Sequence, residues 1–274
     1  MEKNNCIPCS VGILTYNSCK TLERCLESLR GFCEIVIADG GSIDATLDIA
    51  KKYDCTIITQ SRQGHPIDDF SLERNRTLDA AAHDWFFYLD SDEMISPELK
   101  EEMRAICQAK EPAVFIYNVP YQLVSEDLRV KYWSFKTYYQ PRFFNKRSGA
   151  RFTRRVHEKI AFDEKKYAVG KVRGRWYVPL DVQLDFSVYR EKVQHRIGIM
   201  ASAWEPAGFS DFFKRALREP LKNTAKQLIR MTYLSLRYRR REIVPLRYEI
   251  FRLYSQYVAM KKFTERYVRY VRKK

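Results

Sequence analysis

The run Trp85-Phe86-Phe87-Tyr88-Leu89-Asp90-Ser91-Asp92-Glu93 takes five bulky apolar or aromatic residues straight into two carboxylates one residue apart. Two Asp so placed repel each other and are costly to bury unless a cation joins them. A hard divalent ion with oxygen ligands, itself holding a substrate phosphate, resolves the conflict. Asp90 and Asp92 are therefore candidate metal ligands, and the chemistry they suggest is a metal-assisted reaction on a phosphorylated donor. Such carboxylates need a sheet edge to stand on. An unbroken apolar run suits a strand buried on both faces of a parallel sheet, and ligands of open α/β sheets bind outside the carboxyl ends of the strands.

The preceding residues supply that sheet. Ser10–Thr15, Glu34–Ala38, Cys55–Thr59 and Trp85–Leu89 read as strands. Leu22, Leu26 and Leu29 at helical spacing, a segment through Ala50, and Leu72–Ala82 read as the helices between them. Repeated strand–helix alternation implies a parallel, layered sheet with right-handed crossovers. Three polar turns then share one edge: Thr15-Tyr16-Asn17, Asp39-Gly40-Gly41-Ser42 and Asp90-Ser91-Asp92. Gly40 and Gly41 let a ligand approach the backbone. There is no GxGxxG, which disfavours a dinucleotide fold. Beyond Asp92 the pattern changes. Ser96-Pro97-Glu98 opens a helix to about Ala109. Ala113–Val124, Tyr138–Phe144, Arg151–Ile160, Lys171–Val178 and Val182–Val188 read as extended, and the chain from Glu191 onward as mostly helical.

The pieces Val-Gly-Ile-Leu-Thr-Tyr-Asn (11–17), Ile-Val-Ile-Ala-Asp-Gly-Gly-Ser-Ile-Asp-Ala-Thr (35–46), Glu-Arg-Asn-Arg (73–76) and Phe-Phe-Tyr-Leu-Asp-Ser-Asp-Glu (86–93) follow one another in order over about the first 110 residues. In these the chain resembles glycosyltransferase family 2, inverting enzymes with a GT-A fold. Arg155-Val156-His157-Glu158-Lys159 makes it look like the lipopolysaccharide inner-core β-1,4-glucosyltransferases and their relatives. The resemblance implies an α/β GT-A fold, a Rossmann-like, mostly parallel mixed sheet flanked by helices, over residues 1–190. A basic amphipathic helical extension over 191–274 completes the expected organisation. It further implies a nucleotide-sugar donor, in the first place a UDP-sugar, and a glycan or lipid-linked acceptor.

Carried over by position, Thr15 and Asp39 would lie beside the nucleotide base, and Arg74 would approach the diphosphate. Asp90 would face the ribose or the metal, and Asp92 would bind the metal, Mn²⁺ or Mg²⁺. Glu158 is the candidate general base and His157 a metal, phosphate or acceptor contact. On a strand these two side chains point to opposite sides, so both serve one site only if the segment is a loop. Asp163 and Glu164 are fallback bases, and His195 a substitute for a further His of some relatives. Read without the resemblance, Arg74 could simply pair with Asp69 or Glu73, and Trp133, Phe135, Tyr138 and Tyr139 could be packing or an acceptor platform.

The formal net charge of +15 is uneven: Ser210–Lys274 holds 19 Lys or Arg against 5 Asp or Glu. Basic helices with apolar faces suit an anionic membrane surface, and the bland alternative is packing with solvated charges. No run approaches the roughly 20 apolar residues of a membrane span, and Met1–Ser10 lacks the apolar core of a secretory leader. A cytoplasmic protein, peripheral at the inner face of the cytoplasmic membrane, is expected. Seven Cys, an odd number, argue against a closed disulfide framework, and Cys6-Ile7-Pro8-Cys9 reads as a reduced, frayed terminus. Two other classes meet some of these features. A nucleic-acid-binding protein would use the basic segment, although no zinc-finger or RNP-like motif is present and no nucleic-acid partner is expected. A metal-dependent nucleotidyltransferase would share the paired Asp.

Overall fold

The computed structural model describes residues 6–65, 67–133, 137–155, 158–180 and 185–272. The chain divides into two compact units, one of residues 1–123 and 137–179, the other of residues 124–136 and 180–274.

The first unit is built on a sheet whose elements run β1 (Ile7–Thr15), α1 (Cys19–Ser28), β2 (Phe32–Asp39), α2 (Thr46–Lys52), β3 (Thr56–Thr59), α3 (Phe70–Ala80) and β4 (Trp85–Asp90). There follow β5 (Met94–Ile95), α4 (Pro97–Gln108), β6 (Ile116–Ser125), β7 (Tyr139–Asn145), β8 (Arg151–Thr153), β9 (Lys159–Ala161), β10 (Val169–Lys171) and β11 (Trp176–Leu180). The strand order is β3-β2-β1-β4-β7-β6-β11-β5, with β10 beside β6. The strands β3, β2, β1 and β4 are parallel; β7 is antiparallel to both β4 and β6. The parallel half therefore ends at β4, where the strand–helix alternation of the sequence also ends.

The apolar run of β4 is buried on both faces. Trp85, Phe87 and Leu89 join a core with Leu22, Leu26, Leu99 and Met103 of α1 and α4. Phe86 and Tyr88 join the opposite core with Leu78, Phe144 and Phe152. Each such side chain contributes about 1.5–3 kcal/mol by leaving water. Gly12 is required in β1: a Cβ there would lie 2.5 Å from the Phe86 ring and 2.6 Å from Thr77 Oγ1 of α3.

Local signals set the element ends. Ser96 accepts from the Leu99 N–H at 3.2 Å to open α4, as Asp69 does from Leu72 at 3.0 Å for α3. Asp44 serves two helices, accepting from the Thr46 N–H at 3.0 Å and the Cys19 N–H at 3.2 Å. Burial works against its charged form, but the hydrogen bonds from Thr46 and Cys19 outweigh it and lower the carboxyl to about 2. A folded-state value below the unfolded one adds stability above the ordinary carboxylate range, and that stability is lost as pH falls through about 2. Asp44→Ala should cost about 1 kcal/mol at neutral pH, kept small by solvent screening. Urea denaturation at neutral pH should show the gap, and acid titration should shrink it; equal stability of the two proteins at neutral pH would remove the capping role.

Three sequence expectations are corrected. Cys6 is bonded to Cys33, and Cys9 is buried inside β1, which begins at Ile7 rather than Ser10. The pairing of Ile7 with Phe32 brings the two partners together, which a CxxC spacing does not reveal. Arg151–Ile160 is not one strand but β8 and β9 paired antiparallel, the chain reversing after Arg154 at φ +73°. Phe186–Val188 is helical, because Asp185 accepts from the Ser187 N–H at 2.5 Å and caps the helix that follows.

The second unit is helical: α5 (Phe186–Ser202), α6 (Phe209–Phe212) running on through a π-helical turn at Phe213–Arg218, α7 (Glu219–Arg237) and α8 (Leu246–Val271). Val193 and Ile197 pack on Val258, and Trp204 and Ala216 on Phe263. Glu249 is buried and its charge is met by Arg230 and Arg252. Among the described residues no helix is long and apolar enough to cross a membrane.

Candidate active site

The strand ends are aligned by register. Thr15 lies opposite Asp39, Asp39 opposite Thr59, and Leu14 opposite Asp90. The three polar turns are thus neighbours on one edge of the sheet.

Asp39 is buried, and its carboxylate is saturated. Oδ1 accepts from the N–H groups of Gly41 (2.9 Å) and Ser42 (2.8 Å), and Oδ2 from the hydroxyls of Thr15 (2.8 Å) and Ser42 (2.6 Å). Those four donors fill the lone-pair positions of a carboxylate. Gly41 at φ +88° gives the turn its shape. Gly40 instead leaves room for Gln60: a Cβ there would meet Gln60 Oε1 at 2.9 Å. Gln60 Nε2 donates to the carbonyls of Thr15 (3.1 Å) and Ala38 (2.8 Å), locking the ends of β1 and β2.

At the end of β4, the Glu93 N–H donates to Asp90 O at 3.0 Å, closing a tight turn that leaves Asp92 exposed. Asp90 Oδ1 accepts from Arg74 Nη2. Burial raises the Asp90 carboxyl, but the Arg74 and Arg142 charges outweigh it and hold it below the ordinary carboxylate range. Arg74 is almost fully buried, donates through Nη1 to Leu89 O at 3.0 Å, and lies over the Tyr88 ring at 5.0 Å. It pairs with neither Asp69 nor Glu73 among the described residues. Its Nε has no hydrogen bond there but lies 3.6 Å from Glu158 Oε1. One guanidinium therefore joins the β4 turn to Glu158.

Glu158 is carried by the loop between β8 and β9. Helix α3 holds that hairpin through Asn75, which exchanges two 3.0 Å hydrogen bonds with the backbone of Phe152, and through the Phe70 N–H donating to Arg155 O at 2.9 Å. The whole Glu73-Arg74-Asn75 motif is thereby used, since Glu73 accepts from the Ser61 N–H at 3.1 Å and fixes the loop after β3. Glu158 opens on a cavity of about 600 Å³ lined also by Tyr88, Tyr139, Arg142, Phe162 and Glu164. His157 lies outside the described residues. Asp163 is engaged in a turn, accepting from Lys165 at 3.0 Å, and His195 is exposed on α5 of the helical unit. Of the aromatic residues singled out in the sequence, Tyr139 reaches the cavity; Trp133 stacks on Tyr238 in the helical unit, and Phe135 is not described.

Two residues of the network carry no role in the sequence reading. Arg142 of β7 forms a double ion pair with buried Glu93, one arm at 3.2 Å, and lies over the rings of Trp176 (4.0 Å) and Tyr88 (4.8 Å). Glu93 also accepts from Trp176 Nε1 and the Asp90 N–H, each at 3.0 Å. Burial pushes the Glu93 carboxyl up, to about 7, while Arg142 pulls it back. An Arg inside the apolar strand Tyr-Gln-Pro-Arg-Phe-Phe, and a third acid after Asp92, were the available signals.

The residues here suit a hard cation. Asp92 is exposed, and Asp90 Oδ2 has no hydrogen bond among the described residues. No group of three His, Cys, Asp or Glu is assembled among the described residues. One or two carboxylates with substrate phosphates are a usual donor set for Mg²⁺.

A parallel half-sheet, carboxylates gathered at its strand ends and helices following it define a GT-A-like, nucleotide-sugar-binding fold. The chain belongs to glycosyl transferase family 2, whose model matches residues 10–174. It is similar to the SPbeta prophage-derived glycosyltransferase SunS of Bacillus subtilis (30% identical over 111 residues, 40% of this chain and 26% of that one). It is also similar to the lipopolysaccharide core biosynthesis glycosyltransferase LpsC of Rhizobium meliloti (28% over 108 residues, 39% and 40%). The matched stretch spans about a quarter of SunS. Among solved structures, S. aureus TarS 1-349 in complex with UDP-GlcNAc shares the fold over 97% of this chain and 92% of that one, at 18% identity and a TM-score of 0.50.

Proposed function

We propose that the first unit transfers a sugar from a nucleotide-sugar donor, a UDP-sugar, to a glycan or glycolipid acceptor with inversion at the anomeric carbon. The observation that carries this is the placement of Arg74 between Asp90 and Glu158, which puts a candidate donor site and a candidate base on one guanidinium. Thr15 and Asp39 hold the base of the donor; a base N–H would take the position of one hydroxyl donor on Asp39. Asp92 and the outer oxygen of Asp90 would hold Mn²⁺ or Mg²⁺, which when bound neutralises charge on the departing diphosphate. Arg74 orients Glu158, whose carboxylate takes the proton of the acceptor hydroxyl as it attacks. The walls of the cavity exclude water and receive the acceptor. Mutation of Asp92 to Ala should lower Mn²⁺-dependent release of UDP from UDP-sugars by about 10²–10³ with an unchanged thermal melt; full turnover in that variant would sink the rim as the site.

The name of LpsC, a lipopolysaccharide core biosynthesis glycosyltransferase, supports a role in lipopolysaccharide synthesis. We further infer that the helical unit lies on the inner face of an anionic membrane. Ile229, Leu236, Leu246 and Ile250 are exposed, and so are Arg237, Arg239, Arg240 and Arg241, which fall among them in the sequence. Each such Arg near the surface adds about 1 kcal/mol of attraction.

A further inference from the structure

The helical unit contains a cavity of about 560 Å³ lined by none of the residues assigned to the transfer reaction. Its walls are apolar: Tyr132, Met231, Leu234, Ile243, Val244 and Leu246. That size lies within the range of small-molecule sites. Arg240 and Arg241 also line it, on the turn between α7 and α8, and both are exposed with no ion pair among the described residues. The acid of the cavity, Glu249, is already paired with Arg230 and Arg252. From 237 to 247 there are five Arg against one Glu. An occupant matching these walls has an apolar chain and an anionic head.

We propose that this cavity takes the hydrocarbon chain of an anionic membrane lipid, with the lipid phosphate on Arg240 and Arg241. The proposal rests on the membrane reading of this unit and adds a defined chain pocket to it. A second copy of the chain fits poorly, because it would set a like cluster of Arg against this one. A nucleic acid would use the Arg but leave the apolar interior unfilled. A shallow, purely interfacial contact would likewise bury the flanking Leu236 and Leu246 but leave the interior empty.

Titration calorimetry of the full chain with dodecyl phosphate below its micelle concentration tests this apart from any membrane. One molecule should bind per chain, and inorganic phosphate and neutral dodecyl maltoside at least tenfold more weakly. Ser235 lines the cavity from an exposed position on α7, so Ser235→Trp fills it without removing a core residue. That variant should lose at least tenfold in dodecyl phosphate affinity while still floating with vesicles of 30% phosphatidylglycerol in phosphatidylcholine. The double variant R240E/R241E should lose at least tenfold in both. Should Ser235→Trp fail to fold by circular dichroism, Met231→Trp serves the same purpose. Equal affinity in the filled and unfilled proteins, equal binding of the maltoside or of inorganic phosphate, or displacement of dodecyl phosphate by an RNA oligonucleotide overturns the proposal. Dodecyl phosphate binding without vesicle flotation supports the cavity and removes the membrane reading.

Discussion

Glu158→Gln should lower sugar transfer by about 10²–10⁴ while leaving UDP affinity within threefold of the parent. The substitution keeps size and keeps an oxygen for Arg74 Nε, which lies 3.6 Å from Oε1. The hairpin that carries the residue is held by Asn75 and Phe70, which the change does not touch. What disappears is the capacity to accept a proton. Steady-state transfer with several acceptors, beside calorimetry with UDP, separates the two effects. Normal transfer would remove Glu158 as base and return attention to Glu164, which lines the same cavity. A parallel fall in UDP affinity would instead place Glu158 in donor binding.

Arg142→Met should cost about 3–5 kcal/mol, the expected result of stripping one partner from a buried pair. Arg142 and Glu93 expose only 7% and 6% of their side chains, so water cannot compensate the acid left behind. The loss should also reach the reaction, because Glu93 receives the Asp90 N–H and so shapes the turn that presents Asp92. The double variant E93Q/R142M should recover at least half of the stability, since it leaves no unpaired acid in the core. Denaturant unfolding of the parent, the single and the double variant measures this directly. A single variant as stable as the parent, or a double variant less stable than the single, would show that the pair does not anchor the turn.

Much of this protein is local and was legible from its sequence. The unbroken run Trp85–Leu89 required a strand covered on both sides, and Leu22, Leu26 and Leu29 required a helix on one of them. Parallel strands joined by crossovers end on the same edge, so Thr15, Asp39 and Asp90 belonged to one edge, while the fold decided that β1 lies between β2 and β4. The helix start at Ser96 lies within three residues of the group it caps. The extended reading of Val182–Val188 failed over Phe186–Val188, where Asp185 caps a helix; residues 182–184 of it lie outside the described residues.

Only tertiary structure decided the pairings between distant segments. Arg142 meets Glu93 from 49 positions away, because β7 lies antiparallel to β4. Glu158 meets Arg74 because a hairpin folds back on α3, and Cys6 meets Cys33 because β1 and β2 start side by side. Periodicity and capping state which face a residue takes and where an element ends. They carry no information on register between strands far apart in the chain, and register is what chooses a buried charge's partner.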